Sequence, residues 1–538
     1  MSVRKMLLLG LSIVTGIGLA ACMNQSPAAV TASNARASSA SAVASSAAAP
    51  SAAAVGAVYY VATNGSDSNA GTMDAPWKTL QHAADVVPPG STVYARGGVY
   101  NEKLKFTRSG SASKGPIVFS SYEKENAIID GSGLSVNEVE GLIDLSDVNY
   151  ISINGFEIRN YMTSTRDVMP VGIYVHGSGS FIHLSGNKVH DIKNTATPAG
   201  EDLLGRDAHG IAVYGTKAPE SIHDITIDGN ELYNLVLGTS ESLVLNGNVD
   251  TFTVTNNLIH DSDNIGIDLI GFEGKAPDTA YDQVRNGLVK GNRVYNITSN
   301  NNPSYGKKLP NNSHSAGGIY VDGGKDSIIE QNYSYGNDIG IEIASEHAGK
   351  STSNIRVRSN VIYSNRLTGI AMGGYDTERG STINCTIVNN TVYKNDTIDE
   401  GGGQLYVQYG TKNNVIKNNI VVANNSTNVL IYNGYTQNAG NVVDYNLYYA
   451  PGGIDEANWT WKNKEYAGFS VYKSGTGNDA HSLFIDPKFM DPSKGDFHLQ
   501  PTSPAIDAGS TDTAIIGQVD IDGEPRVQDA AVNIGADE

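Results

Sequence analysis

"IRVRSNVIYSN", residues 355–365, decides how the chain folds. Apolar and polar residues alternate up to an asparagine, and a second short apolar run follows. The same form recurs in "ITIDGNELYN" (225–234), "FTVTNNLIHD" (252–261), "LVKGNRVYNI" (288–297), "TIVNNTVYKN" (386–395) and "NVIKNNIVVAN" (414–424). Aligned on the asparagine, the later repeats place Asn332, Asn360, Asn390, Asn419 and Asn446 at successive differences of 28, 30, 29 and 27. The earlier ones, Asn187, Asn230, Asn257 and Asn292, are less regular, as loops inserted into some repeats would make them. A period in the twenties built from period-2 segments predicts a solenoid of parallel strands. Stacked coils bring equivalent residues to about 4.8 Å, so the asparagines are expected to form a ladder of amide hydrogen bonds.

Around this body the composition is that of a strand-and-turn protein. Of 538 residues only 17% are charged, and 59 are glycine. The formal charge of -19 argues against nucleic acid and anionic membrane surfaces as partners and favours neutral glycans, or anionic ones bridged by cations. Residues 1–22 have the form of an export signal: Arg4 and Lys5, an apolar stretch, then small residues up to Cys22. Residues 23–56 are an Ala/Ser tether with too little apolar bulk to fold. The chain has only two cysteines, Cys22 at the end of this signal and Cys385, so disulfides are not expected to stabilise the fold.

Five strands open on Gly-Ile: "GIAVYG" from Gly210, "GIDLIG" from Gly266, "GIYVDG" from Gly318, "GIEIAS" from Gly340 and "GIAMGG" from Gly369. Alternation sends Ile211/Val213, Ile267/Leu269, Ile319/Val321, Ile341/Ile343 and Ile370/Met372 inward. The outward set then holds Asp268, Tyr320 and Glu342 in one column, with Asp322 two residues along the next. Ala212, Ala344, Ala371 and Gly373 flank them, which suits the floor of a pocket. Asp322 and Glu342 would lie diagonally on adjacent coils with Cα atoms roughly 8 Å apart. Two carboxyls so placed can cleave a glycosidic bond, one donating a proton and the other attacking carbon or activating water. Glu342, among Ile341, Ile343 and Ala344, is assigned the acid/base role; Asp322 is nucleophile or base, and Asp268 positions substrate or holds a cation. Both stereochemical outcomes stay open.

Substrate contacts are expected from Tyr320, Glu346, His347, His209, Tyr375 and Arg379, at the ends of the same strands. The long departures from the repeat, near residues 194–208, 271–287 and 302–317, are expected to wall a groove on that face. Tyr305 in the last of them is a candidate for stacking on sugar.

By motif the chain resembles the right-handed parallel β-helix proteins of the pectate-lyase-like superfamily. "YYVATNGSDSNAGTMDAPWKTLQHAADVVPPGSTVYARGGVY" (59–100) is similar to the N-terminal coil of family 9 polysaccharide lyases and several β-helix glycosidases. The resemblance implies an all-β fold, a right-handed parallel β-helix over residues 57–480. "TLQHAADVV" would cover its open end, and residues 481–538 would serve as a C-terminal capping segment. Leu19-Ala20-Ala21-Cys22 resembles a bacterial lipobox, which implies an exported envelope lipoprotein, on the outer membrane or cell surface, touching membrane through its lipid alone. The implied partner is a polysaccharide or oligosaccharide.

Glycoside hydrolysis by the paired carboxylates, which requires no cofactor, is the preferred expectation. A calcium-dependent lyase is the first alternative, and the resemblance then makes Asp261, Asp263 and Asp268 candidate Ca2+ ligands. Family 9 lyases have adjacent aspartates, however, whereas here Asn264 follows Asp263. Arg285, Lys290, Lys307, Lys308 and Lys325 are the candidate bases. A non-catalytic glycan-binding β-helix is the third reading.

Overall fold

A computed structural model describes residues 56–424, 428–528 and 531–538. The signal with Cys22, and the tether up to residue 55, lie outside the described residues. From Val58 onward the chain winds through three long sheets, each of 13 strands. One coil runs Ile222–Asp228, Glu231–Tyr233, Leu243–Gly247 and on to Val249–Thr255, which pairs in parallel with Ile222–Asp228. This is the right-handed parallel β-helix expected. The inward residues of the Gly-Ile strands are 0–2% exposed and belong to one continuous apolar core. Cys385 is a free, buried thiol in that core.

The first corner of each coil explains the repeat. The residue before each aligned asparagine takes a left-handed conformation, for example Gly229 at φ 64°, Ser359 at 51° and Asn389 at 54°. Glycine and asparagine tolerate this turn most cheaply. The next residue, the aligned Asn, turns its side chain under the corner. All nine predicted asparagines, from Asn187 to Asn446, join one ladder in which each Nδ2 donates to the next Oδ1 at 2.9–3.0 Å. The same Oδ1 also accepts a backbone N–H, as Asn360 Oδ1 does from Asn332. A second ladder, Asn337, Asn365, Asn395 and Gln404, turns the following corner.

Glycine opens the Gly-Ile strands because the next coil approaches there. A Cβ on Gly340 would lie 2.4 Å from the Gly369 carbonyl oxygen, and one on Gly318 2.8 Å from that of Gly340.

Helix α1 (Leu80–Val86) closes the N-terminal end. Its first amides, Leu80 and Gln81, are taken by the Glu102 carboxylate at 3.0 Å, and Leu80, Ala83 and Ala84 pack into the core. At the other end the structure departs from expectation. The antiparallel pair Asn458–Trp461 and Lys464–Ala467, with α2 (Phe469–Thr476), covers the last coil, where Trp459 stacks on Tyr472 at 5.0 Å. The segment read as the second cap, 481–538, instead runs back along the side of the solenoid. Gln331, Ser359, Asn389 and Asn418, the left-handed corner residues of four successive coils, bond to Asp520, Arg526, Asn533 and Ser510. Those corners leave side chains free to pair outward, and the last segment uses them.

Candidate active site

The groove lies on the sheet that carries the Gly-Ile strands. Its central strands are β1 (His209–Gly215), β2 (Leu243–Gly247), β3 (Ile267–Ile270), β4 (Gly317–Asp322), β5 (Ile339–Ala344), β6 (Thr368–Met372), β7 (Leu405–Val407) and β8 (Val429–Asn433). Register aligns Ala212, Val244, Asp268, Tyr320, Glu342, Ala371, Tyr406 and Tyr432 as one outward column. Asp322 pairs with Ala344, so it stands diagonally to Glu342 across adjacent strands. The inserted loops wall this face. Lys307 pairs with Glu201 between two of them, and Asn302 bonds to the carbonyl oxygens of Gly238 and Asp263.

These walls bury the acids. Glu342 is 7% exposed, Asp322 5% and Asp268 1%. Burial first, then the charge of Glu346, pushes the Glu342 carboxyl up to about 8. Asp322 is raised well above the usual range by burial and by Glu346, and Asp268 by burial and by Glu241 and Asp322. Like charges this close do not ionise together. Asp322 Oδ1 accepts the Glu346 N–H at 2.7 Å, and the His347 Nε2 stands 4.0 Å from Oδ2. Such a donor favours the anion and offsets part of that rise in Asp322.

Around the pair, Tyr320 donates its hydroxyl to Glu346 Oε1 at 3.3 Å. Glu346 reaches solvent, and its carboxyl is raised by burial of its inner side against the opposing pull of Tyr320 and Arg379. Burial lowers His347. The Arg379 guanidinium lies over the Tyr375 ring at 4.7 Å, and its charge reaches Glu346. The structure therefore brings Tyr320, Asp322, Glu342, Glu346, His347, Tyr375 and Arg379 to one face.

His209 sits differently from its expectation as a substrate contact. It is fully buried, its Nδ1–H donates to the Glu241 carbonyl oxygen at 3.0 Å, and its Nε2 accepts the Tyr214 hydroxyl at 2.7 Å. Burial drives its pKa down to about 4, so it is a neutral prop for Tyr214 and Glu241. Tyr305 is also tied, its hydroxyl donating to Asn264 Oδ1 at 3.1 Å.

The proposed calcium ligands do not gather. Asp261 belongs to another sheet, exposed, and is held by His260 and Asn296. Asp263 accepts the Leu237 N–H at 2.8 Å and is pushed up to about 7 by burial. Only Asp268 faces the groove, so these three do not fit a Ca2+ ion. Among the described residues, the one trio of His, Cys, Asp or Glu with ligand atoms within 4.8 Å of one another is His498, Asp522 and Asp537, on the returning C-terminal segment.

Several site residues escaped the sequence reading because their strands lack the Gly-Ile opening. Glu241, beside β2, is buried with its carboxyl raised well above the usual range by burial and by Glu273. Asn246 donates to Glu273 Oε2 at 2.7 Å. Tyr406 and Tyr432 extend the column beyond Ala371, ring centroids 5.5 Å apart, and Tyr409 and Tyr435 pair beside them at 5.7 Å. Counting one repeat on from each Gly-Ile strand would have found these positions.

Comparison with known proteins agrees with the fold. The family model described as Pel9A-like, right handed beta helix region, matches residues 59–216, and that described as right handed beta helix region matches 171–396. The uncharacterized protein YwoF of Bacillus subtilis is 46% identical over 451 residues, 84% of this chain and 92% of YwoF. Pectate lyase PEL9 of Emericella nidulans is 35% identical over 159 residues, 29% of this chain and 37% of PEL9. Among solved structures, pectate lyase Pel9A aligns over 90% of this chain and 97% of its own, at 16% identity and TM-score 0.47. The lacto-N-biosidase of Eubacterium ramulus aligns over 73% and 64%, at 17% identity and TM-score 0.48. The chain belongs to one family with YwoF, and its fold is the right handed beta helix that the matching family models describe.

Proposed function

We propose that the chain is a glycoside hydrolase that acts on an extracellular glycan, exported and held at the bacterial envelope through a lipid on Cys22. The observation that carries this reading is the diagonal pair of buried carboxyls, Asp322 and Glu342, on adjacent strands of a walled groove. Glu342, with its carboxyl raised to about 8, holds a proton at neutral pH and gives it to the glycosidic oxygen. Asp322, its anion favoured by the Glu346 amide, attacks the anomeric carbon or takes a proton from water. Glu346, Tyr320 and Arg379 orient the sugar. A screen of neutral and acidic polysaccharides, reading reducing ends and ultraviolet absorbance together with and without chelator, tests this. Hydrolysis gives reducing ends without absorbance, and Glu342→Gln lowers kcat/KM by about 10²–10⁴-fold; unchanged activity in that variant refutes the assignment.

The Pel9A-like match at residues 59–216 supports a second reading, β-elimination. That match ends before Asp268, Asp322 and Glu342, and Asp261, Asp263 and Asp268 do not together supply the calcium ligands it needs. Chelator-sensitive absorbance from an unsaturated product would favour it over hydrolysis.

A further inference from the structure

Two buried acceptors in the groove have no partner. Asp268 Oδ1 and Asn246 Oδ1 each belong to a side chain 1% exposed, and neither accepts a hydrogen bond. Because Val244 pairs with Asp268 and Asn246 with Ile270, the two are diagonal neighbours on β2 and β3. An unsatisfied buried acceptor is costly, and a donor brought by a ligand relieves that cost.

Acidic side chains already crowd the spot: Glu241, Asp322 and Glu273 each raise the Asp268 carboxyl. The cations close by are engaged: Lys275 lies 3.9 Å from Glu273 and over the Tyr214 ring at 4.8 Å, and Arg379 covers Tyr375. A sugar carboxylate here would donate nothing to the two acceptors and would add a negative charge. A hydroxyl would donate.

The opposite end of the column is aromatic. Past the small Ala371, the half-buried Tyr406 and Tyr432 present ring surface to the groove, with Tyr409 and Tyr435 beside them. Such rings suit the apolar face of a pyranose.

We propose that this groove selects an uncharged glycan lying along the solenoid axis, one sugar donating hydroxyls to Asn246 and Asp268 and another packing on Tyr406 and Tyr432, either side of Glu342. The proposal rests on the reading of this face as the glycan site. It concerns which glycan binds, whether or not the bond is then hydrolysed.

The test is calorimetric titration of the full chain carrying Glu342→Gln, with chelator present. The probes are cellotetraose, xylotetraose, mannotetraose and galactotetraose against tetragalacturonate and tetramannuronate. The expected result is binding of at least one neutral probe and of neither uronate. Tyr406→Ala and Asn246→Ala should each weaken that binding by on the order of tenfold, while Tyr406→Phe retains it. A uronate bound as tightly as the best neutral probe overturns the proposal, as does a panel in which no neutral probe binds. Thermal unfolding of each variant identifies any that fail to fold. Reducing-end release by the wild-type chain is read separately. Neutral binding without release refutes hydrolysis and leaves the selectivity standing, whereas release from a uronate polymer does the reverse.

Discussion

The corner ladder and the groove floor both bury polar side chains along the whole length of one solenoid, and they treat them in opposite ways. Along the ladder, Asn360 uses every hydrogen-bonding group it has: Nδ2 donates to Ile329 O, Arg358 O and Asn390 Oδ1, and Oδ1 accepts from Asn332. On the floor, Asp268 and Asn246 keep oxygens without partners, and the carboxyls of Glu241, Asp268, Asp322 and Glu342 are raised by burial and mutual repulsion. Satisfied polar groups hold the coils in register. Unsatisfied ones on the same scaffold carry a cost that a ligand can remove, which makes the floor the candidate site.

The sharpest break of this comparison is in the ladder. Asn360→Leu strands the amide of Asn332 and the carbonyls of Ile329 and Arg358, and should cost on the order of 3–5 kcal/mol in chemical denaturation. A loss under about 1 kcal/mol would mean the ladder is decoration. Next comes the floor's response to pH. Glu342 has a carboxyl raised from 4.5 to about 8, so the folded state keeps a proton that the unfolded chain has released throughout that window. Stability from this group is therefore greatest below pH 4.5 and is lost as pH rises towards 8. Thermal melts should show that decline, and Glu342→Gln should flatten it. The basic limb of the activity profile should likewise fall near pH 8, since the acid must be protonated to work.

Asp268→Leu should do what no ladder substitution can. Removing a buried carboxyl without a satisfied Oδ1 should leave the protein as stable or about 1 kcal/mol more stable, while glycan binding falls. Marked destabilisation would show that Asp268 is structural. The smallest effect on function is expected on the third sheet, where His190, Tyr233, His260, Tyr295, Tyr335 and Tyr363 stack with centroids 4.7–5.2 Å apart. Tyr295→Ala should cost only about 0.5–1.5 kcal/mol beyond its lost area and leave activity untouched.

Much of this was legible beforehand. The nine ladder asparagines, the inward pairs of the Gly-Ile strands and the diagonal of Asp322 and Glu342 follow from alternation and period, which are local properties of the chain. Residues such as Glu241, Asn246, Tyr406 and Tyr432 were missed because "SLVLNG" and "QLYVQYG" carry no Gly-Ile signature, although their register is the same. His209 was misjudged because its strand position looks like that of its neighbours, and only the surrounding coils bury it.

What the sequence determined by itself is the coil. Alternating apolar residues, a left-handed corner and an asparagine under it leave one economical way to stack, and each repeat states it again. The tertiary structure decided which outward acids are dry, which have partners and where the last segment lies. Those outcomes depend on loops from different coils meeting over one face, and on corner side chains such as Gln331 and Asn418 pairing with residues more than ninety positions away. No local pattern encodes such meetings, because burial and charge repulsion arise only once the coils are stacked.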